Sequence, residues 1–121
     1  MYRIAKYLVA VLLALAFAGC ASYQPTMMSG GVLTDSAGMT LYTFDKDTAN
    51  SGKSACYGPC AALWPPAAAT GSLGGDYSAI TRDDGTRQLA YKGKPVYLFA
   101  KDQKPGDKLG DNVKDVWHVI K

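Results

Sequence analysis

The stretch GMTLYTFDKD at residues 38–47 is answered by GKPVYLFAKD at residues 93–102, an offset of 55 without a gap. Gly, Tyr, Phe, Lys and Asp coincide at five of the ten positions, and Leu41 lies over Val96. Trp64 and Trp117 then follow the two stretches at nearly equal distances. So long a coincidence in so short a chain reads as an internal duplication. Each copy reads as a strand that follows a glycine turn and ends in an Asp-led turn. Side chains alternate along a strand, so Tyr42 and Phe44 share one face, as do Tyr97 and Phe99. Two buried aromatic pairs supply much of what a small core can offer. Asp47 precedes TANSG and Asp102 precedes QKPGD, which predicts that each carboxylate accepts a backbone N–H at the exit turn. The motif is therefore expected to be architectural, two strand-and-turn units packed by their aromatic faces about a pseudo-twofold axis.

The chain around the motif points to the same fold class. All ten acidic residues are Asp and none is Glu, which favours turns and caps over helix interiors. GVLT and MTLYTF flank the turn DSAG, with Gly38 as its left-handed residue. YSAITR and TRQLAY flank an Asp-Gly turn at Asp84 and Gly85, and the chain turns again at Lys92 and Gly93 into PVYLF. Pro95 opens that strand, a place where its missing N–H is tolerated on an edge. DVWHVI is the last strand. One helical turn is expected around CAALW, stopped by Pro65 and Pro66, and Ala67–Gly75 reads as a loop. The expectation is a mainly β, small antiparallel domain built from an internal strand-turn repeat, with at most one short helical turn.

Residues 1–19 carry Arg3 and Lys6 ahead of an apolar run from Tyr7 to Phe17, the pattern of a secretory signal peptide. The run is shorter than the roughly 20 residues a membrane-spanning helix needs. Ala18-Gly19-Cys20 resembles the lipobox of bacterial lipoproteins, which implies cleavage before Cys20 and acylation of its sulfur. More than one acyl chain anchors a protein stably. Ala21, rather than Asp, implies by the same resemblance an outer-membrane lipoprotein facing the periplasm. Residues 20–30 then read as the lipidated cysteine and a flexible tether, with a reach of roughly 35 Å when extended. Residues 31–121 form a single β-rich repeat domain. Loss of the leader removes two of the 13 basic residues, leaving 11 against 10 Asp. A nearly neutral protein gives no support to nucleic-acid binding.

Tyr-x-Phe-x-x-Asp, twice, behind such a leader, resembles the bacterial secreted-repeat lipoproteins named for their Yx(FWY)xxD motif. CYGPCAALWPP is similar to the segment that follows the first motif in that family. The similarity covers Gly31 to Trp117 and implies a predicted lipoprotein of unknown role.

Cys56 and Cys60 remain, spaced C-x-x-x-C. In an oxidising compartment they read as a structural disulfide, and a five-residue ring would stabilise the chain by roughly 2 kcal/mol. The alternative is a dithiol that binds Cu(I) or cycles with a redox partner. The only histidine, His118, reads as a packed or rim residue of the last strand. DKDTANSG fails the calcium-loop register, with Ala49 and Asn50 where an oxygen ligand and Gly are required, so a solvated turn is expected. Asp83 and Asp84 read as turn residues, and no nucleophile elbow, phosphate loop or zinc-protease helix occurs. No enzyme activity, catalytic residue, metal or cofactor is expected. The functional expectation is a lipid-anchored envelope protein acting as an interaction or scaffolding module for an unidentified envelope protein or small ligand. The alternative is a periplasmic Cu(I)-binding or thiol redox protein.

Overall fold

Seven antiparallel strands, none longer than five residues, build the described part of the chain: β1 (Thr26–Ser29), β2 (Val32–Asp35), β3 (Tyr42–Phe44), β4 (Tyr77–Thr81), β5 (Arg87–Tyr91), β6 (Lys94–Pro95) and β7 (Trp117–Val119). The structure, a computed structural model, describes residues 25–121. The leader, the acylation of Cys20 and the first part of the tether lie outside the described residues. The strands fall into three small sheets, β1-β2, β3-β7 and β4-β5-β6. Isolated bridges join them, including Tyr42 to Tyr97 and Pro66 to Tyr97.

The turns explain the hairpins. Lys92 and Gly93 both have positive φ, 50° and 80°, the requirement of a two-residue turn whose twist matches the strands it joins. Gly85 closes the β4-β5 hairpin with φ 86°. There Gly85 N donates to Arg82 O at 2.9 Å and Arg82 N to Thr86 O at 2.8 Å. The loop is thus three residues with a left-handed glycine, one longer than a bare Asp-Gly turn. Gly38 has φ 86° after β2 as expected, and Asp35 Oδ1 braces that turn by accepting from Ala37 and Met39 N, each at 2.9 Å. Pro95 pairs with Ala90 on β6, an edge of its sheet.

Two segments differ from expectation. Thr26–Ser29, assigned above to the tether, form β1 and pair with β2 from Thr26↔Asp35 to Ser29↔Val32. The reason is Gly30-Gly31, with φ 59° and 81°, a hairpin turn that a small polar stretch disguises as linker. The segment after Pro65-Pro66 is irregular, yet Ala67 and Ala69 are buried. Ala67 N donates to Val96 O at 3.1 Å while Ala67 O accepts from Leu89 N at 2.8 Å, so its start works as a strand-like strut.

Among the described residues one α-helix, α1 (Pro59–Leu63), occupies the CAALW turn, with Pro in its first turn and Trp64 as its C-cap. Five residues do not hold a helix in water unaided. Here the disulfide Cys56–Cys60 pins its start. A 3-10 turn (Val113–Asp115) precedes β7. The core divides into an aliphatic cluster around Leu33, Leu41, Leu89 and Val96 and an aromatic cluster around Tyr42, Phe44, Trp64, Tyr97, Phe99 and Trp117.

Candidate functional site

The motif residues meet across the two copies rather than within them. At the centre, Tyr42 N donates to Tyr97 O and Tyr97 N to Tyr42 O, both at 2.9 Å. The Tyr42 hydroxyl donates to Asp102 Oδ2 at 2.6 Å, and the Tyr97 hydroxyl to Asp47 Oδ2 at 2.6 Å. The tyrosine of each copy is thus held by the aspartate of the other. The remaining carboxylate oxygens accept backbone N–H groups, Asp47 Oδ1 from Ala55 at 2.6 Å and Asp102 Oδ1 from Leu109 at 3.0 Å. These donors lie at the far side of each loop, eight and seven residues on, so each aspartate closes a whole loop, not just its exit turn. Asp47 is buried, in place of the solvated turn expected of DKDTANSG, while Thr48 to Lys53 remain exposed.

The rings follow the same exchange. Phe44 stacks on Trp117 at 4.2 Å, Trp117 on Trp64 at 3.8 Å and Trp64 on Phe99 at 4.1 Å between centroids. Each phenylalanine covers the tryptophan of the other copy, and the two indoles meet in the middle. Tyr42 and Tyr97 stand edge-on to Trp64 and Trp117 at 5.4 and 5.1 Å, a geometry that the ring quadrupoles favour. Both tyrosines are fully buried. Burial first, then the neighbouring carboxylate, pushes both phenols well above their usual range. Burial likewise raises Asp47, against the hydrogen bonds from Tyr97 and Ala55 and the charge of Arg82.

The motif glycines have a steric role in the same exchange. A Cβ on Gly93 would lie 2.0 Å from Asn50 Oδ1, and one on Gly38 would lie 3.1 Å from Pro105 Cβ. The exit turn of each copy therefore packs on the opening glycine of the other.

Around Asp47 a polar network forms that sequence reasoning missed. Buried Arg82 donates to Ser54 Oγ at 3.0 Å, Gln88 Oε1 at 2.7 Å and Cys56 O at 2.6 Å. Ser54 Oγ lies 2.6 Å from the Tyr97 hydroxyl. Since that hydroxyl donates to Asp47, Ser54 is its donor. Every buried side-chain nitrogen and oxygen among the described residues has a partner, so the network is closed, as low-dielectric surroundings demand. No spacing signal marks Arg82 beforehand; it reads as the last residue of the strand segment YSAITR.

Cys56 and Cys60 are bridged, and Cys56 is fully buried in the aromatic cluster. His118 is remote from them in role. Its Nε2 lies 2.8 Å from Asp45 Oδ2 and its Nδ1 3.1 Å from Asn112 Oδ1. Among the described residues, no group of three or more His, Cys, Asp or Glu side chains could hold a metal ion.

What the motif leaves open is a cleft beside it. A cavity of about 370 Å³ opens at the edge of the ring stack. Phe44, Trp64 and Trp117 line it, together with Leu63 of α1 and Val116 after the 3-10 turn. Leu63 and Val116 are counterparts, since Ala100 N donates to Leu63 O at 2.9 Å and Asp45 N to Val116 O at 2.8 Å. The cleft therefore follows the seam where the ends of the two copies face each other.

A family model described as a secreted repeat of unknown function matches residues 26–68 and 78–121. Those spans are the two interlocked copies. The chain belongs to that family. The first matched span starts at β1, so the family repeat takes in the hairpin that precedes the motif as well as the loop that follows it. No curated protein and no solved structure matches the chain.

Proposed function

We propose that this secreted-repeat protein is a non-enzymatic binding module of the bacterial cell envelope, held by acyl chains on Cys20 at the periplasmic face of the outer membrane. The observation that carries the binding role is the seam cleft. Its volume falls in the range of small-molecule sites, roughly 300–1,000 Å³, and its lining is apolar with few polar groups, as such sites are. The motif tyrosines and aspartates, by contrast, are spent on joining the copies. Exposed Leu63, on a helix pinned by a disulfide, supports the same reading: an apolar side chain is held open to solvent at the cleft wall.

The test is intact mass of the protein taken from membrane fractions after alkylation of free thiols, under native and denaturing conditions. Acylated Cys20, unalkylated Cys56 and Cys60, and a native adduct lost in Leu63→Asp are expected. Alkylated Cys56 and Cys60, or a native mass heavier by one copper ion, would overturn the module in favour of a thiol redox or Cu(I) protein.

A further inference from the structure

The ligand class can be read from the charges and the backbone of the cleft. Two cations, Lys46 and Lys114, line it, and no acidic residue does. The only ion pair among the described residues is His118 with Asp45. Both lysines are exposed, and neither has a hydrogen-bond partner among the described residues. Lys46 is the motif lysine, shared with Lys101 of the second copy. Only Lys46 of that pair reaches the cleft.

Lys114 is held there at a cost. Asn112, Lys114 and Asp115 all adopt positive φ, at 64°, 53° and 57°. Asn and Asp tolerate this region, but a Lys side chain in it is strained. The counterpart stretch of the first copy, which leads into Trp64 as this one leads into Trp117, is α1, an ordinary helical turn. At this point of the repeat the left-handed path belongs to the second copy, and it carries a cation to the rim of an apolar slot.

We propose that the seam cleft binds an amphipathic anion, a flat apolar body seated against Phe44, Trp64, Trp117 and Leu63 with its carboxylate, sulfonate or phosphate group between Lys46 and Lys114. This rests on the binding-module reading above and names its ligand. Charge-assisted contacts to two ammonium groups orient the anion, while the apolar walls supply affinity by burial. The second lysine comes from the other copy, so the duplication makes the site.

A pair of fluorescent naphthalenes separates the two levels of this reading. 1-Anilinonaphthalene-8-sulfonate carries the anion, and N-phenyl-1-naphthylamine has the same rings without it. The full chain carrying Cys20→Ser is used, because acyl chains would themselves take up the probes. Both probes are titrated while energy transfer from Trp64 and Trp117 is followed, and near-UV circular dichroism checks that each variant keeps its ring stack. The sulfonate is expected to bind one to one and to weaken about tenfold in Lys46→Gln/Lys114→Gln, and also at high salt. The neutral probe should change less than about twofold in that variant, on the same reasoning. Leu63→Asp should weaken both. If the lysine variant leaves sulfonate binding unchanged while Leu63→Asp removes it, the anion assignment is overturned and the cleft stands. Should both probes bind the Leu63→Asp protein as well as the parent, or fail to bind the parent, the cleft reading itself is wrong.

Discussion

The two copies agree at the motif and part company in the loop that follows it. From the opening glycine to the aspartate, each makes the same contacts to the other: tyrosine to aspartate, phenylalanine to tryptophan, glycine to exit turn. Beyond the aspartate, the first copy has a disulfide and helix α1, and its loop accepts hydrogen bonds from Arg82 of the second copy. The second has Gly110 and a strained 3-10 turn. Gly110 N donates to the Tyr42 hydroxyl at 3.2 Å, and a Cβ there would come within 2.7 Å of the Trp64 ring. The difference teaches that the motif is a joint. A joint must be complementary to its counterpart, so both halves keep it, while the loops it holds are left to diverge where they line the cleft.

The sharpest way to break this comparison is to remove one indole at a time. Trp64→Ala and Trp117→Ala should each cost about 3–5 kcal/mol, equal within about 1 kcal/mol, in guanidinium unfolding. Equivalence is expected because each indole is stacked on a phenylalanine of the other copy and on its twin. A large cost for one and little for the other would show that the stack is carried by one copy alone.

Next come the aspartates. Asp102→Ala leaves the Tyr42 hydroxyl and the Leu109 N–H without their acceptor, at roughly 2–4 kcal/mol by the cost of unsatisfied buried groups. Asp47→Ala removes the same two kinds of bond and in addition the nearby charge that offsets buried Arg82, so it should cost more in the same unfolding assay. If Asp102→Ala proves the more damaging, the Arg82 network does not depend on Asp47.

A third test uses pH and bears on both copies alike. An unfolded tyrosine loses its proton near 10.0, whereas burial raises both motif phenols in the folded state. The folded protein therefore holds more protons than the unfolded chain above that pH, and stability falls as pH rises through it. Thermal unfolding followed from pH 9 to 11 should drop progressively, and Tyr42→Phe/Tyr97→Phe should flatten the fall. An unchanged slope in that double variant would assign the alkaline loss to other groups.

The sequence carried the joint's parts but not its assembly. Turns were legible at Gly38, Gly85 and Lys92-Gly93 because positive φ demands particular residues, and the helical stop was legible from Pro65-Pro66. The disulfide was one of two open readings for Cys56 and Cys60. What could not be read was partnership. Tyr42 and Tyr97 have the same neighbours in sequence, so nothing local says whether a tyrosine meets its own aspartate or the other one. That choice is made by the antiparallel bridge between Tyr42 and Tyr97, a tertiary event. Arg82, Lys114 and the cleft escaped for the same reason. The hairpin at Gly30-Gly31 escaped for a different one, since two glycines among small polar residues signal a turn and a tether equally well.

The mildest test changes the first copy toward the second outside the joint. Asp45 stands where the second copy has Ala100, and His118 stands where the first has Pro65, so the Asp45–His118 pair has no counterpart. Its side chains are 46% and 35% exposed, and ion pairs so open to water contribute about 0–1 kcal/mol. Asp45→Ala should therefore lower stability by less than about 1 kcal/mol and leave the near-UV signal of the stacked indoles unchanged. A larger loss would mean that His118 and Asn112 hold the strained turn in place through Asp45, and the boundary between the joint and its freely diverging loops would have to be redrawn to include them.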